Sequence, residues 1–162
     1  MPRYQWGHLN KQQVGAFAEY FVKMELTMYG FQVYGSEVDD RGIDFVACLP
    51  GGPFLRVQVK SLRRPGYVFM RKANFEPHEH LYLALALLFR EGEPPALYLV
   101  PSTAWHACDG VFVGRDYDGR TSPPEWGINV STRNLRALGV HAFDAAVARL
   151  LLAGAIPADV AP

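Results

Sequence analysis

Apolar side chains recur every three or four residues from Lys11 to about Tyr29, the spacing that places them on one face of an α-helix. Asn10, followed three positions later by Gln13, is typical of a capping box at a helix start. Gly30 can end the helix, because glycine readily adopts the left-handed conformation of a C-terminal cap. We therefore predict one long amphipathic helix.

Segments with strand character follow the helix. Residues 54–60 alternate between apolar and polar side chains, and a Pro-Gly-Gly-Pro turn at 50–53 separates them from Ile43 to Leu49. This arrangement predicts a hairpin. Further strands are expected at residues 31–34, 67–70, 81–89, 96–100 and 126–130. The segments up to residue 100 predict a sheet of about five strands.

The remaining segments are connections and one more helix. Residues 101–105 are predicted to form a short helical turn that Ser102 can cap, and the Gly- and Pro-bearing residues 109–125 a loop and hairpin. Asn134 to about Leu152 is predicted to be helical, with Gly139 as a candidate break. The chain is expected to be a single domain, 1–162, with its core at about 10–152 and a frayed tail at 153–162.

Composition narrows the class of protein. The 162 residues are 49% apolar, which is ample for one compact core. Cys48 and Cys108 are the two cysteines, which excludes a disulfide-dense scaffold and a four-cysteine zinc site. The amino terminus lacks a signal-peptide pattern, and the longest apolar run, nine residues from Leu81 to Phe89, is too short for a bilayer span of about 20 residues. We expect a cytoplasmic protein without membrane contact.

Charge is balanced in total but unevenly distributed. The 16 basic and 16 acidic residues give a formal net charge of zero, which excludes nucleic-acid binding by bulk charge alone. Residues 37–44 hold four acids, whereas residues 56–72 hold six basic residues and no acid. The basic residues are Arg56, Lys60, Arg63, Arg64, Arg71 and Lys72. They are compatible with a local phosphate-binding surface and with an ordinary solubilising face.

Four side chains of the helix and hairpin form the candidate site. Gln58 and Lys60 are two apart on one strand and share a face, and Asp44 on the paired strand can lie beside them. Glu19 falls at the edge of the helix face that should pack on the sheet. Carboxylate and amide oxygens suit a hard cation such as Mg²⁺, and a lysine beside it can orient an attacking water and counter phosphate charge. The pattern favours phosphodiester hydrolysis.

These residues, in this order, resemble the PD-(D/E)xK, or restriction-endonuclease-like, nuclease superfamily, and the specific part of the resemblance covers residues 13–62. The resemblance implies an α/β fold with a restriction-endonuclease-like core, a mixed central β-sheet flanked by helices. It places the family's helical acid on Glu19, its metal-binding aspartate on Asp44, its second acidic position on Gln58 and its lysine on Lys60.

Two positions depart from the family pattern. Ile43 stands in place of the proline that names the motif, and it supplies strand context but no ligand. Gln58 stands in place of an acid, and a neutral amide binds Mg²⁺ more weakly than a carboxylate does. A Gln-x-Lys form occurs in an intron-encoded homing endonuclease branch of the superfamily and in small prokaryotic relatives, which this chain resembles.

The resemblance implies a Mg²⁺-dependent DNA endonuclease, with Mn²⁺ as an alternative cofactor. Lys60 would position the nucleophile, and the implied metal ligands are Asp44, Gln58, the Val59 carbonyl and, for a second metal or its water, Glu19. Phosphate contacts are expected from Arg56, Arg63, Arg64, Arg71 and Lys72. Because one small domain offers one active site, cutting both strands favours a homodimer or higher homo-oligomer. The alternative is an inactive nuclease-fold module that binds nucleic acid or a protein partner.

Each of these residues also has an ordinary structural interpretation. Glu19 can pair with Lys23 one helical turn later, Asp44 can satisfy backbone donors at a turn, and Lys60 can be a solvated lysine. Tyr67 and Phe69, interleaved with the basic residues, can stack on bases or belong to a buried strand face.

Two further clusters are weaker candidates for a metal. The loop acids Glu37, Asp39 and Asp40 can add a ligand, although a solvated loop explains them as well. A zinc site from two pairs, His78 with His80 and His106 with Cys108, is disfavoured because no tight motif joins the pairs.

Overall fold

The computed structural model describes residues 3–35 and 42–155, so the loop acids Glu37, Asp39 and Asp40 lie outside the described residues. Helix α1 occupies Lys11–Met28. The predicted capping box is present, since the Asn10 side chain accepts the Gln13 N–H and the Gln13 side chain accepts the Asn10 N–H. Gly30 has a φ of 91°, which confirms the left-handed end of the helix.

Eight strands and two further helices follow α1 in the described part of the chain. The strands are β1 (Gln32–Gly35), β2 (Phe45–Cys48), β3 (Leu55–Leu62), β4 (Gly66–Arg71), β5 (Leu81–Leu87), β6 (Ala96–Pro101), β7 (Phe112–Arg115) and β8 (Glu125–Val130). The helices are α2 (Leu135–Leu138) and α3 (Phe143–Ala155). The predicted strands are therefore confirmed, with ends that shift by one or two residues.

The main sheet is mixed, as predicted. Its five strands are in the order β1-β2-β3-β5-β6. β3 and β5 are parallel, whereas the other neighbouring pairs are antiparallel and include the predicted β2–β3 hairpin. β5 is suited to its internal position because six of its seven side chains are buried on its two faces.

The main sheet has the predicted number of strands, but β4 is not one of them. β4, β8 and β7 form a separate three-stranded antiparallel sheet, which we call the second sheet. β4 alternates between exposed and buried side chains, the pattern of a sheet with one face in solvent, so it does not take the place beside β3 that the apolar β5 fills.

The carboxy-terminal helix is interrupted where the sequence placed a candidate break. α2 ends before Gly139, a 3₁₀ turn spans Gly139–His141, and α3 then continues to Ala155, three residues beyond the predicted end at Leu152. Gly139 therefore separates two helices. A second 3₁₀ turn spans Ser102–His106, as predicted.

The predicted capping role of Ser102 is wrong. Its side chain makes no cap hydrogen bond. Instead, the buried hydroxyl accepts the His78 N–H at 2.9 Å and donates to the His78 carbonyl at 2.8 Å. Ser102 thereby fixes the segment before β5, because a buried hydroxyl takes whichever backbone partners are within reach.

The main sheet is the middle layer of the molecule. On one side, Val22 of α1 and Val147 of α3 pack with Val57 and Ala84 of the sheet. On the other side, the second sheet packs against the leucines of β5. Among the described residues, no helix is both long enough and apolar enough to cross a membrane.

Candidate active site

Asp44 lies directly before β2, at the point where β3 extends beyond its partner. The β2–β3 register ends at the Phe45–Val57 pair. The Asp44 N–H donates to the Val57 carbonyl at 3.0 Å, and Asp44 Oδ2 accepts the Val59 N–H at 2.5 Å. Backbone and side chain of Asp44 therefore hold β3 on both sides of Gln58.

Val59 offers an oxygen at the same edge of β3. The N–H and C=O of one strand residue point to the same side of the strand, as the paired bonds of a sheet ladder require. Because the Val59 N–H points to Asp44, its carbonyl points to the same edge, past the start of β2. The Val59 carbonyl is the group that was predicted as a backbone ligand of the metal.

Gln58 places a polar atom in the interior. Its side chain is 8% exposed, and Oε1 has no hydrogen-bond partner among the residues that the structure describes. A buried acceptor without a partner costs about 1–3 kcal/mol. A buried oxygen without a hydrogen-bond partner is what we expect of an atom that binds a cation.

Gly42 shapes the pocket around the Gln58 amide. A Cβ on Gly42 would lie 3.3 Å from Gln58 Nε2 and 3.4 Å from the Asn74 Cβ, and the φ of 69° favours glycine. Neither Gly42 nor Asn74 was predicted as a site residue. Gly42 could have been identified from its place in the Arg-Gly turn that precedes β2. No sequence feature identifies Asn74, because it is far from Gln58 in the sequence.

Lys60 lies two residues beyond Gln58, on the same face of β3. Together with Lys11 and Gly15 of α1 and with Arg63, it lines a cavity of about 370 Å³ between the helix and the edge of β3. No atom lies within 4 Å of the position that a Cβ on Gly15 would take, so the helix leaves the cavity open there. Three of the residues that line this cavity are basic, which suits a phosphate.

Glu19 has an ionic partner in its own helix. Its carboxylate accepts a hydrogen bond from Lys23 Nζ at 2.5 Å, the alternative that the sequence left open. Lys23 Nζ also lies 5.4 Å from the ring centroid of Phe45. The pair therefore lies over the start of β2, next to the residue that follows Asp44.

The described residues contain no acidic or zinc-type cluster. Within residues 3–35 and 42–155, no three His, Cys, Asp or Glu side chains are grouped so that they could hold a metal ion. This result includes the two His and His/Cys pairs, and so the zinc site stays disfavoured.

Three of the predicted phosphate-binding residues have partners within the protein. Arg56 contacts His78 Nε2, whose pKa is lowered by burial and then by the Arg56 charge. Arg63 donates to the carbonyls of Trp6 and Leu9, at 3.3 and 2.9 Å. Lys72 pairs with Asp116 at 2.7 Å.

Arg64 and Arg71 are exposed. Arg71 and Lys72 lie at the end of β4 in the second sheet, whereas Arg63 and Arg64 follow β3. The predicted basic run is thus divided between the cavity beside Lys60 and the second sheet.

Searches of protein-family models and of curated proteins give no match. Among solved structures, the chain is similar to the bacterial homing endonuclease I-Ssp6803I, with a TM-score of 0.56 and 16% identity over 90% of this chain and 94% of that one. It also matches the Holliday junction resolvase Hjc of the archaeal hyperthermophile Archaeoglobus fulgidus, with a TM-score of 0.48 and 16% identity over 80% and 98% of the two chains. The first likeness shows the fold, which is restriction-endonuclease-like, as predicted.

Proposed function

We propose that this chain, with its restriction-endonuclease-like fold, is a metal-dependent DNA endonuclease that hydrolyses phosphodiester bonds. One observation carries the proposal: the buried Gln58 Oε1 has no hydrogen-bond partner among the described residues, and Gln58 lies on β3 between Val57 and Val59, the two residues that Asp44 binds. Lys60 and the cavity that it lines follow two residues later. The structural likeness to a homing endonuclease supports the same class of reaction.

A hard divalent cation, Mg²⁺ or Mn²⁺, fits the donors at this edge. Asp44, Gln58 and the Val59 carbonyl would hold it, since all three offer oxygen and Gln58 Oε1 has no partner in the described part of the chain. Glu19 would serve a second cation or its water by exchanging its bond to Lys23. Such a cation, when bound, acidifies water and offsets phosphate charge.

The side chains of the chain itself supply the positioning. The Val59 N–H fixes one oxygen of Asp44, so the second oxygen keeps a set direction. The Lys60 ammonium would orient the attacking water and stabilise negative charge on the phosphate as the water oxygen bonds to phosphorus and the ester P–O bond breaks. Lys11 and Arg63 would hold a phosphate in the cavity.

Cleavage of both DNA strands by one small domain would favour a homodimer or a higher homo-oligomer. β5 does not supply the interface, because it lies between β3 and β6 with both faces buried. The mass of the protein in solution, measured by light scattering with and without DNA, tests this part of the proposal.

The second candidate is a nuclease-fold module that binds DNA or a protein without cleaving. Two observations favour it: the neutral Gln58 replaces an acid, and Glu19 is paired with Lys23. Both weaken the affinity expected for a cation, because a neutral amide and a carboxylate that is already paired with a lysine bind it less strongly than an unpaired carboxylate does.

The decisive experiment incubates the protein with plasmid, branched and single-stranded DNA in Mg²⁺, in Mn²⁺ and in EDTA. We expect metal-dependent nicking that Asp44→Asn or Lys60→Ala abolishes, whereas Asp118→Asn in an exposed turn leaves it intact. Binding without cleavage in either metal would favour the module. Neither binding nor cleavage would indicate a protein-binding domain and would refute the nuclease.

A further inference from the structure

The solvent face of the second sheet presents a stacked pair of aromatic rings. Tyr67 and Phe69 of β4 lie on the face opposite to the buried Val68 and Met70. Phe69 is 49% exposed. The two rings are nearly parallel, at an interplanar angle of 19° and a centroid distance of 6.4 Å. An exposed aromatic ring in a fixed stack gains apolar burial from any flat partner that covers it.

Tyr67 is locked in place by contacts across the sheet. Its hydroxyl donates to Glu125 Oε1 at 2.8 Å, and Tyr117 donates to the same oxygen at 2.8 Å. Burial, and then the hydrogen bond to Glu125, raise the pKa of Tyr67, so the hydroxyl keeps its proton and remains a donor. A Cβ on Gly127 would lie only 2.0 Å from Tyr67 Oη, so the absence of a side chain at Gly127 lets the ring cross the sheet.

Two arginines flank the rings. Arg71 of β4 and Arg115 of β7 are both in register with Glu125 of β8, so all three side chains lie on the same face. Arg115 Cζ lies 4.5 Å from the centroid of the Tyr67 ring. Glu125 is 8% exposed beneath the tyrosine hydroxyls, whereas both arginines are exposed. The surface that solvent meets is therefore aromatic and positively charged.

We propose that this face, which we call the aromatic face (Tyr67, Phe69, Arg71 and Arg115), binds an unpaired segment of DNA. A base would stack on Phe69 while Arg71 and Arg115 contact the phosphates. Duplex DNA cannot use the ring in this way, because its bases are already stacked within the helix. An apolar protein partner fits less well, since it would bury both arginines without partners.

The aromatic face is joined to the candidate active site. β4 leads into a 3₁₀ turn, Lys72–Asn74, and the Asn74 Cβ is 3.4 Å from the position that a Cβ on Gly42 would take beside Gln58. An unpaired strand on the aromatic face would therefore lead toward the site, and the preferred substrate would be DNA with a single-stranded flank. This link to cleavage rests on the proposed function, whereas the binding does not.

Fluorescence anisotropy in EDTA tests the binding without cleavage. The probes are a labelled oligothymidylate, its duplex with oligoadenylate, and an oligouridylate of equal length. We expect the single-stranded DNA to bind more tightly than the duplex. Phe69→Ala should weaken that binding about tenfold, Phe69→Trp should retain it, and Arg71→Ala or Arg115→Ala should reduce its salt dependence.

The matched control is Phe54→Ala, which truncates a phenylalanine that is 60% exposed directly before β3. The proposal is refuted by wild-type affinity of Phe69→Ala, by an equal loss in Phe54→Ala, or by a preference for the oligouridylate. It is also refuted if Phe69→Ala dissociates a homodimer without changing DNA affinity. Asp44→Asn should abolish cleavage and preserve this binding, so the failure of either proposal is recognised separately.

Discussion

Gln58 is the residue at which the requirements of stability and of the proposed function oppose each other. A buried amide oxygen without a partner among the described residues lowers the free energy of unfolding. Buried polar groups without a partner are typical of functional sites, where they serve binding or catalysis instead of stability. In this fold the purpose would be to complete the coordination of a cation beside Asp44.

Replacing this amide by an acid separates the two effects. In EDTA we expect Gln58→Glu to unfold at a lower temperature than the wild type, because a buried carboxylate costs more than an amide, by at least about 1 kcal/mol. In Mg²⁺ we expect the variant to gain more stability than the wild type does, because a carboxylate binds the cation more tightly. Thermal unfolding in the two buffers measures both.

The control for this experiment is Gln32→Glu, which makes the same change on the exposed strand β1. It should shift the unfolding temperature little, and equally in both buffers. An unchanged response of Gln58→Glu to Mg²⁺ would show that the Gln58 side chain does not contact the cation.

Gly127 permits the arrangement of the aromatic face. Gly127→Ala would place a Cβ 2.0 Å from Tyr67 Oη and 2.2 Å from Cζ, so the ring must leave and its bond to Glu125 is lost. We expect the free energy of unfolding to fall by about 1–3 kcal/mol and the affinity for single-stranded DNA to fall with it. Urea titration and anisotropy are the measurements.

Gly139→Ala is the matched control, because nothing lies within 4 Å of the added Cβ and the φ of −57° is helical. It should be neutral or slightly stabilising, since alanine restricts the unfolded chain. If Gly127→Ala were as stable as Gly139→Ala, Tyr67 would not be held over Gly127.

At the level of single residues, the sequence predicted which side chains share one face of β3 but not how their atoms are paired. The spacing of Gln58 and Lys60 predicts a shared face, and the hairpin brings Asp44 to the same edge of β3. The sequence offered Glu19 two partners, a metal and Lys23, and could not decide between them, because Lys23 one turn later satisfies the same carboxylate as a metal would. The environment of Gln58 depends on Asn74, whose approach is set by the tertiary fold.

Helix α1 links an element's own stability to the site, because its first turns line the cavity beside Lys60. We expect Asn10→Ala to lower the free energy of unfolding by about 1 kcal/mol, since it removes the acceptor of the Gln13 N–H and leaves that donor unpaired. Chemical denaturation measures the loss. Gln12→Ala, at an exposed position of the same turn, should change stability much less. Equal losses in the two variants would contradict the capping role of Asn10.

The sequence predicted best those elements whose ends are set by local signals. The capping box set the start of α1, and Gly139 set the break between α2 and α3. The division into two sheets was not predicted, because alternation identifies a strand without naming its neighbour. It is explained by the difference between β4, which keeps one face exposed, and β5, which is buried on both faces.

Across the whole molecule, a row of aromatic rings joins the second sheet to the segments around it. Phe75, Trp105 and Phe112 contact one another edge to face, with centroids 5.4 and 5.1 Å apart, and His141 follows at 5.6 Å from Phe112. His141 belongs to the 3₁₀ turn between α2 and α3. Its Nδ1 is buried and has no hydrogen-bond partner among the described residues. Protonation of this ring would therefore place a charge where the layers meet.

Burial, and then the charge of Arg149, lower the pKa of His141 below its ordinary value, while Asp109 opposes the change. The unfolded chain consequently binds the proton more readily than the folded protein does. The stability that His141 contributes is complete above about pH 6.5 and is lost as the pH falls from there through the lowered pKa. The slope for this one proton is at most about 1.4 kcal/mol per pH unit.

We expect His141→Phe to reduce the loss of stability between pH 7.5 and 5.5, because phenylalanine keeps the aromatic contact without a titrating group. The reduction should be on the order of the linkage of one proton. Part of the slope should remain, since the pKa of His78 is also lowered by burial. Urea unfolding across this pH range measures the slopes, with His106→Phe at an exposed position as the control. If His106→Phe reduced the pH dependence of stability and His141→Phe left it unchanged, the proton responsible would not be on His141.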